Sequence, residues 1–324
     1  MGFYDNDCTI RKWRAAVTSV LYLQFSGACA LDFLSIFPLS IMNSKIEICN
    51  AFNTHAGEYE QAAKIQHEIG ERLFERLQYL KIKPRYILDL GCGTGLFSPR
   101  LKKLFPQAQV IGFDMAFAML VHAKAKHRWR QKWPLVNGDM TAMPFAAGLF
   151  DLVFANQVIH WSQPLSAVIG ELNRVMNAHG CLMFSTLGPD TFQELKKAWA
   201  GADTFAHTNT FADMHDLGDS LLADHFLDPV VDMEFLTAHY ASLTHLVRAL
   251  KAQGVRNINP ARNQGLTGRH TWHKFEQGMS ALCTPAGKFP LTYEVVYGHA
   301  WKGEQRRIKG GTETFISVDS LRRK

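Results

Sequence analysis

Between Tyr86 and Thr186 the chain alternates short apolar runs with segments of helical period, and nothing else in it restricts the fold as tightly. "YILDL", "QVIGFD", "PLVNGD", "FDLVFAN" and "CLMFST" read as strands. Between them lie the stretch after the first glycines, stopped by Pro106, then "MAFAMLVHAKAK" and "PLSAVIGELNRVM", each long enough for a helix. Strands joined by such helices cross over right-handedly into βαβ units and a parallel sheet. In such sheets ligands lie beyond the carboxyl ends of the strands, near the point where strand order reverses. The residues after Leu90, Phe113, Val136 and Ala155 should therefore carry the chemistry.

The turn after the first strand is "DLGCGTG", residues 89–95. A Walker loop is excluded, because Leu96 and Phe97 follow Gly95 where Lys and Ser/Thr are needed. The dinucleotide pattern G-x-G-x-x-G fails as well, with Leu96 at its third position. A carboxylate two residues before the first glycine opposes phosphate and favours a cationic ligand without one. S-adenosylmethionine is such a ligand. On this reading Gly91, Gly93 and Gly95 let the backbone approach its methionine part, and Asp89 favours its ammonium and sulfonium charges. Asp114, with Met115 beside it, is placed to accept from both ribose hydroxyls. Asp139 accepts from the adenine amino group, Met140 packs on the ring, and Asn156 lies near the sulfonium.

Around this core, residues 60–80 carry apolar positions at helical spacing and predict one amphipathic helix. Beyond Gly188, helices are expected at 190–199, at "TFADMHDLGDSLLADH" and at "ASLTHLVRALKAQG", with strands at "PVVDMEFLT" and "FPLTYEVVYGHAW". "VRNINPARNQGLTGRH" reads as a long basic loop. In "DMHDLGD" a metal site competes with a solvated helix start, and the absence of a second ligand cluster favours the helix start. No metal is expected.

The formal charge of +6 fits an acidic partner but does not require one. The six cysteines include no C-x-x-C pair, which points to reduced thiols in a cytoplasmic protein. Arg11, Lys12 and Arg14 precede an apolar stretch, so residues 1–41 can be read as a signal peptide, as an anchor with Asp32 inside it, or as an extension upstream of a start at Met42. The last reading is preferred, because a recognisable domain begins just after Met42. No membrane association is expected of residues 42–324.

"ILDLGCGTG", "VIGFDMAFAML", "GDMTAMPF", "FDLVFANQVIHW" and "ELNRVMNAHGCLMFST" together resemble the class I S-adenosylmethionine-dependent methyltransferases. That resemblance implies a Rossmann-like α/β fold, a mostly parallel seven-stranded sheet with helices on both faces. A narrower one runs from Met42 onward. "AFNTHAGEYEQAAKIQHEIGERL", "FSTLGPDTFQELKKAW", "HTNTFADMHDLGDSL", "LKAQGVRNINPARNQGLTGR" and "LTYEVVYGHAW" are similar to the malonyl-acyl-carrier-protein O-methyltransferases of biotin synthesis. It implies a helical entry segment over 42–85, a cofactor core over 86–188 and a substrate- and carrier-facing half over 189–324. "NAHG" departs from that family's Pro-Gly-Gly turn, which affects turn geometry, and His160 stands where Gln is frequent.

The implied reaction esterifies the free carboxyl of malonyl-acyl carrier protein, or of malonyl-CoA, early in pimeloyl synthesis. The carboxyl is already ionised near neutrality, so no general base is nominated. Tyr59 is either an orienting lid residue or a core residue. His160 is either catalytic or a wall residue, and Trp161 lines the acyl pocket with it. Arg256, Arg262 and Arg269 form a basic segment that suits an acidic carrier protein, with nucleic-acid binding and a plain solvated loop as the other readings. No nucleic-acid partner is expected. Two alternatives stay open: another small-molecule methyltransferase, and a methyltransferase-like assembly factor acting on a partner protein.

Overall fold

The computed structural model describes residues 39–127 and 132–304. The chain divides into two units, Met1–Lys45 and Ile46–Lys324; of the first, residues 39–45 are described, and they are helical. The readings made for residues 1–41 therefore fall almost wholly outside the described residues.

The elements in order are α1 (Leu39–His55), α2 (Tyr59–Ala62), α3 (Lys64–Arg76), β1 (Tyr86–Leu90), α4 (Ser98–Leu104), β2 (Gln109–Asp114), α5 (Phe117–Ala125), β3 (Leu135–Asn137), β4 (Phe150–Asn156), α6 (Leu165–Val175), β5 (Met176–Leu187), α7 (Gln193–Ala200), α8 (Met214–Ala223), β6 (Phe226–Tyr240), α9 (Leu243–Ala252), α10 (Arg269–Ala281) and β7 (Phe289–Lys302). The strands form one seven-stranded sheet in the order β3-β2-β1-β4-β5-β7-β6. β1 to β5 run parallel, and β7 is antiparallel to both its neighbours, so the sheet is mixed.

Strand alternation sends successive side chains to opposite faces, and both faces are covered. Ile87, Val110, Leu152 and Phe154 meet Ile69 and Leu73 of α3, Leu101 of α4 and Leu195 of α7 on one side. Leu88, Ile111, Val153 and Leu182 meet Val168, Ile169 and Leu172 of α6 and Leu217 of α8 on the other. Strand order reverses between β1 and β4, where Leu90 lies level with Phe113 on one side and Ala155 on the other. That register places three strand ends around one crevice.

The helix expected over 60–80 is broken. Ala63 leaves helical geometry (φ −84°, ψ 36°), and the Ala62 carbonyl accepts from Gln253 Nε2 at 3.1 Å. A side chain 191 positions away in sequence captures that carbonyl, which periodicity cannot reveal. "NAHG" sits inside a register shift of β5, between the Phe150–Met176 and Leu152–Cys181 pairs, with His179 at φ 65°. Asp213 is the N-cap of α8, accepting from the His215 backbone N–H at 2.8 Å. That is the helix-start reading of "DMHDLGD".

Candidate active site

At the end of β1 the chain turns sharply. Gly91 takes φ +65°, and a Cβ there would lie 2.4 Å from Val158 Cγ2. Gly93 takes φ +53° with no atom within 4 Å of its Cβ position, so the turn faces open space at this point. The Gly93 N–H donates to Asp114 Oδ2 at 2.9 Å, and the Ala116 N–H donates to Oδ1 at 2.8 Å. The acid ending β2 is thus aimed by one backbone donor from each neighbouring turn.

Asp89 lies buried beneath the turn and accepts from Ser98 Oγ at 2.5 Å. Burial pushes its carboxyl up to about 7, against the pull of Ser98 and with help from the Asp114 charge. Burial likewise pushes Asp114 up to about 6, despite its backbone donors. Burial thus holds both acids above the carboxylate range, and a cation bound near them would gain from both.

The cleft at these strand ends holds about 980 Å³ of space, its open mouth included, and is lined by Gly91, Gly93, Asp114, Met115, Met140 and Asn156 on one side. No lysine or arginine lines it among the described residues. Asn156 Oδ1 accepts from Ser185 Oγ at 2.7 Å, and Asn156 Nδ2 reaches the Gln66 carbonyl at 3.3 Å. Gln157 follows at φ 54°, its N–H donating to the Ser185 carbonyl at 3.0 Å and its buried Nε2 without a protein partner.

The entry segment closes over this floor. Asn53 of α1 accepts from the Ala118 N–H at 2.8 Å, tying α1 to the first turn of α5. Thr94 Oγ1 donates to Glu60 at 2.7 Å, and Glu60 pairs with Lys126. Phe52 meets Tyr59 edge-on at 6.2 Å and Trp161 at 5.3 Å. Burial, and then the Asp114 charge, push the Tyr59 hydroxyl above its usual range, so it stays protonated. The remaining wall brings together His160, Trp161, Phe192, Phe211, Gln253 and Tyr293. His160 Nδ1 lies 3.2 Å from Thr186 Oγ1, and burial pushes its ring down to about 3. It is a neutral imidazole at pH 7.

Residues 88–184 match the family model described as a methyltransferase domain. The malonyl-[acyl-carrier protein] O-methyltransferase of Legionella pneumophila is 62% identical over 278 residues, covering 86% of this chain and 98% of that one. The chain belongs to the malonyl-[acyl-carrier protein] O-methyltransferase family. The member from Gallionella capsiferriformans is 43% identical, covering 81% of this chain and 92% of that one. Among solved structures, the YcgJ protein of Bacillus subtilis covers 72% of this chain and 98% of its own, at 13% identity and a TM-score of 0.51. That likeness shows the class I methyltransferase fold alone.

In this family member the expected residues divide. Tyr59, Gly91, Gly93, Asp114, Met115, Met140, Asn156, His160 and Trp161 converge on one cleft. Asp89 supports the turn from below rather than lining the space. Gly95 packs against Ala123 and Trp133, where a Cβ would come within 3.0 Å and 3.1 Å. Asp139 Oδ1 accepts from the Thr141 N–H and hydroxyl, each at 2.8 Å, while its neighbours Gly138 and Met140 form the wall. Arg256 and Arg269 are exposed, but Arg262 is engaged: its Nη2 bonds both carboxylate oxygens of Glu47 at 2.9 Å. Gln157 was within reach of sequence reasoning, as the neighbour of Asn156. Phe192, Phe211, Gln253 and Tyr293 carried no strand-end signal. Among the described residues no helix is long and apolar enough to cross a membrane, and no group of three His, Cys, Asp or Glu is placed to hold a metal ion.

Proposed function

We propose that this chain methylates the free carboxyl of a malonyl thioester carried on acyl carrier protein, using S-adenosylmethionine as donor, in the cytoplasmic synthesis of the pimeloyl moiety of biotin. Malonyl-CoA is the same acceptor on a smaller carrier. The observation that carries the reading is the cleft's charge: one carboxylate on its wall and a second beneath the turn, both raised by burial, a glycine turn open to space, and no lysine or arginine among the described lining residues. S-adenosylmethionine, when bound, supplies a methyl group on a sulfonium leaving group.

The chain's own residues bind, orient and dry. Asp114 would hold the ribose hydroxyls and Met115 and Met140 would pack against the adenosine, with Asp139, held by Thr141, behind that wall. Asp89 supplies negative charge from beneath the turn, and Asn156, fixed by Ser185 and the Gln66 carbonyl, lines the donor side. Tyr59, kept protonated, donates a hydrogen bond and covers the site from α2. Neutral His160 and the Trp161 ring form the acceptor wall, displacing water from the carboxylate. The acceptor is already ionised, so alignment and desolvation suffice and no side chain takes up a proton.

Purified protein incubated with methyl-labelled S-adenosylmethionine and malonyl-acyl carrier protein should yield a base-labile methyl ester on the carrier's arm, seen by intact-protein mass spectrometry. Expression in a biotin auxotroph lacking the family enzyme should restore growth without biotin. A folded chain that binds the donor yet does neither would be a methyltransferase for another acceptor.

A further inference from the structure

A second hollow lies beside the cleft, bounded by Pro189, α7, residues 203–211 and Asn259, and holding about 1010 Å³ with its mouth included. Asn209 and Phe211 line both spaces and form the partition between them. The Phe211 ring meets His160 edge-on at 5.5 Å, and His160 meets Trp161 at 5.2 Å. The partition therefore leads straight into the acceptor wall.

The hollow is built rather than incidental. Asn209 Nδ2 donates to the Arg256 carbonyl at 2.9 Å, and its Oδ1 accepts from the Ile258 N–H at 2.8 Å. Asn257 Nδ2 donates to the Ala206 carbonyl at 2.7 Å, and the Ala206 N–H to the Ala261 carbonyl at 3.1 Å. These bonds zip residues 206–209 to 256–261 as one wall, and the Arg262–Glu47 pair anchors that wall to α1. Below it, Trp199 is stacked between His207 at 3.6 Å and Phe275 at 4.2 Å.

We propose that this second hollow receives the pantetheine-type arm of the acyl thioester, whose acyl end passes Asn209 and Phe211 into the cleft. The inference rests on the proposed acceptor being a thioester on a long arm. Such an arm alternates amides and a hydroxyl with aliphatic stretches and ends in a phosphodiester. The hollow offers the kinds of group such an arm would meet: the hydroxyls of Thr204, Thr208 and Thr210, the half-exposed Phe205 ring and Trp199, and Lys196 as its cation. The one carboxylate among its described lining residues, Asp203, is taken by His207 at 2.7 Å. Lys196 Nζ donates one of its hydrogens to the Pro189 carbonyl and has two more to offer. The cleft itself has no cation on its walls, so the phosphate belongs outside it.

The test compares acceptors with and without the arm. Ala200→Trp and Thr204→Trp fill the hollow from exposed wall positions, where folding tolerates change. In each, the ratio of kcat/KM for malonyl-CoA to kcat/KM for the malonyl thioester of N-acetylcysteamine should fall at least tenfold. Misfolding or a distorted cleft lowers both values together, so an unchanged ratio in a variant that keeps the native kcat/KM for the N-acetylcysteamine thioester overturns the inference. As a second measurement, alkylation of Thr204→Cys by iodoacetamide, followed at that position by peptide mass spectrometry, should slow at least threefold with malonyl-CoA and not with malonate. Equal rates with and without malonyl-CoA would also overturn it. A native protein that methylates neither these thioesters nor malonyl-acyl carrier protein defeats the proposed function, and this inference with it. Turnover of both with an unaltered ratio defeats the arm path alone.

Discussion

The two walls of the cleft are built in opposite ways. The donor wall comes from the turns after β1 to β4, and Asp114, its carboxylate, is aimed by backbone N–H groups of two neighbouring turns. The acceptor wall joins His160 and Trp161, after β4, to residues from separate places beyond Leu187: Phe192 before α7, Phe211 before α8, Gln253 after α9 and Tyr293 within β7. The donor wall is acidic and answers charge with charge. The acceptor wall is aromatic and neutral. A guanidinium there would grip a carboxylate firmly in the ground state and blunt it as a nucleophile, whereas aromatic walls strip its water and leave its charge free to react. On the proposed function, the difference implies that one ligand is held by electrostatics and the other by shape and exclusion of water.

The strongest way to break that contrast is Asp114→Asn. Losing the charge and two charge-assisted hydrogen bonds should cost about 3 kcal/mol, or about 100-fold in the Kd for S-adenosylmethionine by calorimetry. The KM for the malonyl thioester should stay within about twofold. Equal losses on both ligands would mean the walls do not act separately. Next comes pH. Protons compete with a cationic donor for Asp89 and Asp114, raised to about 7 and about 6 in the ligand-free protein. The Kd should therefore be flat above about pH 8 and rise roughly tenfold or more as pH falls to about 5.5. Because both acids are raised on folding, their ionised forms cost stability above those values, and the cost is relieved as pH falls. Asp89→Asn should accordingly stabilise the ligand-free protein at about pH 8, by on the order of 2 kcal/mol in urea melts, while weakening donor binding. A flat Kd from about pH 8 to 5.5 would show that neither acid faces the ligand's charge.

On the boundary between the walls stands Tyr59. Removing its hydroxyl in Tyr59→Phe should lower kcat about fivefold and leave the donor Kd within about twofold, since Phe keeps the Phe52 contact. An unaltered kcat would return Tyr59 to a packing role.

The same contrast explains what could be read in advance. β2 and β4 fall on the expected "QVIGFD" and "FDLVFAN", because a strand buried on both faces is a short apolar run bounded by turn residues. Six of the expected residues, Gly91, Gly93, Asp114, Met115, Met140 and Asn156, line the cleft because βα register is local: the turn after each strand end points there whatever the rest of the chain does. Asp89 was legible as an acid at the right place, but its position beneath the turn was not, since Ser98 reaches it through the fold of α4. The helix α10 escaped notice because its apolar positions, Trp272, Phe275 and Met279, are sparse among polar residues and Gly268 offers no side-chain cap. The acceptor wall was hidden for a deeper reason. Phe192, Gln253 and Tyr293 meet through contacts that span up to a hundred residues, and no local period records such meetings.

Arg262 sharpens the smallest expected effect, on carrier docking. Arg256 and Arg269 are exposed and free to meet an acidic surface, so charge reversal at each should raise the KM for malonyl-acyl carrier protein about threefold at low salt. The effect should fade as salt is added and be absent with the N-acetylcysteamine thioester, which has no carrier. Arg262 is a different case, since its bidentate pair with Glu47 holds the loop against α1. Arg262→Glu sets two carboxylates together and should lower the Tm and slow turnover on every acceptor alike. Reversing the pair, with Glu47→Arg added, restores opposite charges and should recover most of both. If the double variant recovers its Tm but still has a raised KM for the carrier-bound acceptor alone, Arg262 itself meets the carrier and the division between clamp and docking charge falls.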